Sequence, residues 1–152
     1  MQIMPATGRW LCKIYSIKCS TDQLITKPAL NVQLGSAFLY RLVGEWKGSY
    51  IMAAAGYNAG SGRVIKWNKA VGDPRKGEIT PVDWIELIPF TETRNYVKRV
   101  MRNVQIYRRF LEPNRKLSMQ DDLDRGRVHP LKTAQNETCG KDGSGSDCVK
   151  QD

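Results

Sequence analysis

One histidine in 152 residues, with four cysteines spaced C-x6-C and C-x8-C, leaves the sequence short of the ligand sets of zinc ribbons and of the C-x-x-C pair of redox sites. No metal and no cofactor is expected. A long apolar run is also missing: the longest, Tyr50 to Tyr57, falls far below the roughly 20 residues that cross a bilayer. No transmembrane segment is expected, and the N-terminus has no basic segment followed by an apolar stretch of the kind that directs export. Aromatic residues stop at Phe110, so the rest of the chain lacks the bulk to fill a core. Acidic side chains are scarce, 15 against 24 Lys and Arg. What remains, 41% hydrophobic and 26% charged, is the composition of one globular domain with an appendage.

The charge is unevenly placed. Residues 1–112 hold 17 basic and 8 acidic side chains, whereas residues 113–152 hold 7 of each. A basic globular part predicts an anionic partner: nucleic acid, anionic lipid or an acidic wall polymer. The boundary falls at Pro113. Residues 113–152 read as a polar tail whose few apolar side chains cannot offset its chain entropy, with at most a short helix around Leu117 to Asp124. Cys12 and Cys19 read most simply as free or buried thiols on a helix and the loop after it. Cys139 and Cys148 bracket a Gly/Ser stretch that could close as a small disulfide loop in an oxidising compartment.

Within residues 1–112 the periodicity is helical, giving a mainly α fold. Gly35, Phe38, Leu39, Leu42, Val43 and Trp46 recur at steps of three and four, which sets them on one face of a helix. Ser49 to Tyr57 is almost wholly apolar, as a buried central helix requires, and Asn58-Ala59-Gly60 ends it. Arg63 to Ala70 predicts a brief helix. Thr80-Pro81-Val82-Asp83 has the form of a capped start with proline in the first turn, and Pro89 closes that helix. The last predicted helix runs from Glu92 to about Leu111, capped by Thr91. Val97, Val100, Met101, Val104, Tyr107 and Leu111 are placed inward, and Lys98, Arg99, Arg102 and Arg109 outward.

Three strings are unusual for a generic helical bundle. Met1-Gln2-Ile3-Met4-Pro5-Ala6-Thr7 sets an amide between two thioethers before a helix-opening proline. Ala55 to Val64, with Gly56-Tyr57-Asn58-Ala59-Gly60 at its centre, joins small residues that let a ligand approach to a stacking ring and a hydrogen-bonding amide. Ile88 to Val97 contains Glu92-Thr93-Arg94-Asn95-Tyr96. Each alone is explained by a helix junction, a tight turn or a capped helix start. In this order and at these separations, with Asn31-Val32 before Gly35 and Leu39, and Arg63-Val64 before Trp67, they resemble the soluble-type lytic transglycosylases, the SLT domain of bacterial cell-wall enzymes. The likeness covers residues 1 to about 111.

The resemblance implies a lysozyme-like fold with a groove for the glycan strand of peptidoglycan, in the periplasm or cell envelope. It also implies non-hydrolytic cleavage of the MurNAc–GlcNAc linkage, in which one glutamic acid protonates the leaving oxygen. As carboxylate it then deprotonates the sugar's own 6-hydroxyl, giving a 1,6-anhydro end. Gln2 and Met4 match the Met-Gln-x-Met-Pro groove residues, Tyr57 and Asn58 the Tyr-Asn-Ala-Gly residues that contact sugar, and Tyr96 the tyrosine after Glu-Thr-Arg. Glu92 and Arg94 match structural support for the helix start.

The family's catalytic glutamate stands in a Glu-Ser motif before the Met-Gln-x-Met-Pro string, and this sequence starts at that string, so no catalytic residue is assigned. Glu45 and Glu92 suit the role poorly; for Glu92 the reason is that a carboxylate at a helix start is favoured ionised. Glu86, between apolar neighbours, suits it least badly, and a structural role is the simpler reading. The expectation is therefore a transglycosylase domain that does not turn over, with apolar surface uncovered near Met4 and from Met52 to Tyr57. The alternative is a non-catalytic peptidoglycan-binding remnant. A basic helical nucleic-acid binder, suggested by Lys98 to Arg109, is a distant third, because a solvated helix face explains those charges.

Overall fold

The computed structural model describes residues 3–128, among which no strand occurs. The helices are α1 (Pro5–Ile14), α2 (Thr21–Thr26), α3 (Pro28–Glu45), α4 (Tyr50–Ala59), α5 (Ser61–Val71), α6 (Pro81–Glu86), α7 (Thr91–Leu111) and α8 (Met119–Leu123), with a 3-10 turn at Pro74–Lys76. The predicted central helix is α4. It packs against α3, α5 and α7, and every residue from Ile51 to Gly56 is buried. Ala53, Ala54, Ala55 and Gly56 keep it thin enough for three neighbours; a Cβ on Gly56 would stand 3.2 Å from the Trp46 indole nitrogen. Burial from Met52 to Gly56 corrects the expectation of an uncovered surface there, because α3, α5 and α7 enclose α4 from within the chain. Gly60 ends α4 at φ 89°, a backbone conformation that costs glycine little.

Two apolar clusters make the core. The larger surrounds α4 with Leu42, Trp46, Val64, Trp67, Trp84, Ile88, Val97 and Met101. The smaller joins Ile3, Leu11, Cys12, Leu24 and Leu34 across α1, α2 and α3, and Phe38 packs against both. Asn31 is buried where α2 and the segment before α1 meet α3. Its amide donates to the Leu24 carbonyl at 3.0 Å and its oxygen accepts from the Ile3 N–H at 3.4 Å. The motif asparagine of α3 thus fixes the segment that leads into α1, satisfying its buried polar atoms by doing so.

Several expectations are corrected. Cys12 and Cys19 form a disulfide. The chain reverses after α1 through Ser16 at φ 53°, and the Ile17 N–H returns to the Cys12 carbonyl at 2.8 Å, which carries Cys19 back over the helix it has left. Spacing alone does not reveal that reversal. Thr91 is the first residue of α7 rather than its cap, and Phe90 occupies the cap position without a side-chain bond. Tyr107 and Leu111 are exposed rather than inward, while Thr93 is buried.

Folded structure also continues past Pro113. Asp122 on α8 is buried and pairs with Arg108, and it accepts from the Gln105 amide at 2.5 Å. Arg125 donates to the Tyr50 hydroxyl, Gly126 lies against the backbone of Ser49, and the Val128 N–H donates to the Arg75 carbonyl at 2.8 Å. These anchors are polar, so a reading that looks for apolar periodicity passes over them. Cys139 and Cys148 lie outside the described residues, as does the rest of the expected tail.

Candidate active site

The end of α4, the start of α7, the start of α1 and the middle of α3 converge on one cleft. It holds about 350 Å³ and is lined by Ile3, Met4, Thr7, Phe38, Tyr57, Asn58, Glu92 and Tyr96. Of the residues predicted from sequence, Met4, Tyr57, Asn58 and Tyr96 are brought together here, although they are up to 92 positions apart in the chain (4 to 96). Gln2 lies outside the described residues. Two further recesses continue the groove and share Asn58 and Glu92 with it. One runs down α7 by Tyr96, Arg99, Val100 and Asn103, and the other passes Arg63, Phe90 and Thr93.

The walls are aromatic and stiff. Tyr57 and Tyr96 lie nearly parallel, their ring centres 6.4 Å apart and their planes at 9°. Phe38 lies 5.5 Å from Tyr57, Trp10 stands edge-on to Phe38 at 6.2 Å, and the Arg41 guanidinium covers Trp10 at 5.0 Å. A row of this kind offers apolar faces with polar tips, and each ring is held by the next. Tyr57 is the half-buried hinge of the row, and its hydroxyl is buried with no hydrogen-bond partner among the described residues. Burial pushes the Tyr57 hydroxyl above the ordinary tyrosine value, with a smaller push from Tyr96 beside it. Burial also raises Tyr96. Both are therefore neutral donors at physiological pH.

Asn58 is oriented by α7. The buried Thr93 hydroxyl donates to its side-chain oxygen at 2.6 Å, which leaves the amide N–H groups for the cleft. Sequence reasoning misses Thr93; its signal is a small hydroxyl residue at an inward position of a helix start. Arg94 does support the helix start, donating to the Glu86 carbonyl at 2.8 Å and to the Thr91 hydroxyl at 3.3 Å, which ties the end of α6 to α7. Glu92 departs from that expectation. It is exposed, lines all three recesses, and is the carboxylate of the groove among the described residues. The four-residue step from Glu92 to Tyr96 is the signal that places both on one face. Glu86 does not line the cleft and pairs with Lys98 at 2.5 Å.

This arrangement can hold a neutral, polar, ring-shaped ligand between stacking faces and oriented amide and hydroxyl groups. Among the described residues no group of His, Cys, Asp and Glu is placed to hold a metal, and no helix is long and apolar enough to cross a membrane.

Comparison with known proteins agrees with the geometry. The family model described as the transglycosylase SLT domain matches residues 1–80, and that of the soluble lytic transglycosylase helical domain matches residues 87–115. The soluble lytic murein transglycosylase of Salmonella typhimurium is 36% identical over 127 residues, covering 82% of this chain and 19% of that protein. Its counterpart in Escherichia coli K12 is 39% identical over 113 residues, covering 73% and 17%. The crystal structure of the 70 kDa soluble lytic transglycosylase from Escherichia coli superposes with a TM-score of 0.72 at 35% identity, covering 85% of this chain and 20% of that one. An inactive Glu-to-Gln mutant of lytic transglycosylase Slt from Pseudomonas aeruginosa gives 0.65 at 37%, covering 82% and 19%. The chain thus spans about a fifth of the length of these relatives. With the aromatic cleft, the ordered motifs that line it and the match over residues 1–80 all in agreement, the chain belongs to the transglycosylase SLT domain family.

Proposed function

We propose that the cleft binds the glycan strand of peptidoglycan, as part of a lytic transglycosylase that cleaves the MurNAc–GlcNAc linkage and leaves 1,6-anhydro ends. The observation that carries this reading is the Tyr57 hydroxyl, buried without a partner among the described residues in the wall of a cleft flanked by Tyr96 and the oriented Asn58 amide. An unpaired buried hydroxyl costs stability, and a sugar hydroxyl or N-acetyl carbonyl would supply the missing bond. Met4, exposed at the lip, packs on an apolar sugar face.

In the proposed reaction one carboxylic acid donates a proton to the leaving oxygen and then, as carboxylate, takes one from the sugar's 6-hydroxyl. Because the attacking hydroxyl belongs to the substrate, the second carboxylate of hydrolytic glycosidases is unnecessary. Glu92 stands exposed in the first turn of α7, and no proton-donor role is assigned to it. The 152 residues contain no Glu-Ser pair, so this polypeptide supplies the walls of the site and binds without turnover. The Cys12–Cys19 disulfide supports a location in the oxidising cell envelope.

The test uses the purified 152-residue chain. It is expected to sediment with insoluble peptidoglycan and to release no anhydro-muropeptides detectable by mass spectrometry. Failure to sediment would remove the glycan reading. Anhydro products from the wild type that vanish in Glu92→Gln would show that this chain carries its own acid.

A further inference from the structure

Of the four tryptophans, Trp46, Trp67 and Trp84 are buried in the core, whereas Trp10 is left 41% exposed. It stands on α1 three residues after Thr7, which lines the cleft, and Arg41 stands on α3 three residues after Phe38, which also lines it. A step of three keeps each residue on the side of its helix that faces the cleft, so the lining runs on by one turn of both helices. There the two meet. The Arg41 guanidinium lies 5.0 Å from the centre of the Trp10 ring, and Phe38 is edge-on to that ring at 6.2 Å. Trp10 thus ends the aromatic row that passes through Phe38 and Tyr57, at the far end from Tyr96.

Trp10 is fixed by its two neighbours without being covered by them. A fixed indole loses little conformational freedom when a ligand docks, and its flat apolar surface suits the C–H face of a sugar ring. Resting on the glycan reading above, we propose that Trp10 forms an outer sugar-binding subsite. A strand seated at Tyr57 and Asn58, and long enough to pass Phe38, stacks one further N-acetylated sugar on the indole, while Arg41 steadies the ring by its cation–π contact. Affinity accordingly rises at the strand length that reaches Trp10, and shorter pieces are held by the inner cleft alone.

The probes are chito-oligosaccharides of graded length, peptide-free backbones of N-acetylated sugar, added to the 152-residue chain. Because the other tryptophans are buried, Trp10 serves as the reporter. Long oligomers are expected to shift its emission to the blue and protect it from acrylamide; the shortest should bind by calorimetry without doing so. Affinity should step up about 3- to 10-fold at the length where protection appears, the range for one added aromatic contact. High salt should leave the step in place, since no ion pair makes it. Trp10→Leu, which keeps an apolar contact for Phe38 but has no ring face, should erase the step and keep binding of the shortest oligomer; Trp10→Tyr should restore most of it. Equal weakening at every length in Trp10→Leu would make Trp10 a prop for Phe38 and overturn the proposal, as would a step that survives the substitution or one that salt removes. Binding without any step would overturn this proposal alone, and no binding at any length would take the glycan reading down with it.

Discussion

Removing the Cys12–Cys19 bridge by Cys12→Ala/Cys19→Ala isolates one constraint on the fold. Its loop spans a sequence separation of 7, for which loop-closure entropy gives about 2.4 kcal/mol at 25 °C. The native contacts should survive the change, because the turn is also held by the Ile17 N–H to the Cys12 carbonyl, and alanine retains the Cβ that packs in the cluster with Leu11. The loss is therefore expected to come from a freer unfolded chain. At roughly 3–4 °C per kcal/mol for a domain of this size, the melting temperature should fall by about 7–10 °C. Circular dichroism melts with and without a phosphine reductant measure it, and the wild type under reductant should match the double variant. Thiol titration in guanidinium without reductant should find no more than two of the four cysteines reactive. Four reactive thiols, or a double variant within about 2 °C of the wild type, would refute the reasoning. Glycan binding should change little, because Met4 and Thr7 line the cleft from the opposite end of α1.

Tyr57→Phe removes a buried hydroxyl that has no partner among the described residues, so stability in urea should hold or rise by up to about 1 kcal/mol while peptidoglycan sedimentation weakens; a loss of both would mean the hydroxyl is paired in the folded protein. Asp122→Ala leaves Arg108 largely buried without its partner and should cost about 3 kcal/mol in urea unfolding, whereas a loss under about 1 kcal/mol would show that α8 is not part of the cooperative unit. Tyr57 and Tyr96 have raised folded values, so the folded state holds its protons more tightly than the unfolded chain. Their contribution is complete below about pH 10 and is lost as pH rises through the folded values. Absorbance titration should show these two tyrosines ionising above the ordinary tyrosine range; ionisation within that range would contradict their burial.

Helix identity is legible wherever the local signal is strong. The apolar run of α4, its Gly60 stop, the Thr80–Pro81 start of α6 and the three-and-four spacing of α3 each follow from backbone and burial rules within one element. At α6 the Thr80 hydroxyl accepts from the Asp83 N–H at 3.1 Å, as its capped form anticipates. The failures have a different character. Tyr107 and Leu111 keep the apolar spacing of α7 but run beyond the core that α4 provides, so periodicity continues where packing has ended. The docking of α8, whose short helix the sequence allows around Leu117 to Asp124, is passed over for the opposite reason, since Asp122, Arg125 and Val128 anchor it through polar contacts to Arg108, Tyr50 and Arg75.

Local order in the chain specified a helical domain, its family motifs and four of the cleft residues, because capping, periodicity and motif spacing act over a few positions. Folding in three dimensions settled which side chains share the cleft. It oriented Asn58 through Thr93, turned Glu92 into the groove, left the Tyr57 hydroxyl without a partner among the described residues and closed Cys12 on Cys19. Each of these depends on elements distant in sequence, or on a chain reversal, meeting at distances of a few ångströms. Hydrogen bonds and burial are functions of that distance, and residue spacing along the chain does not encode it.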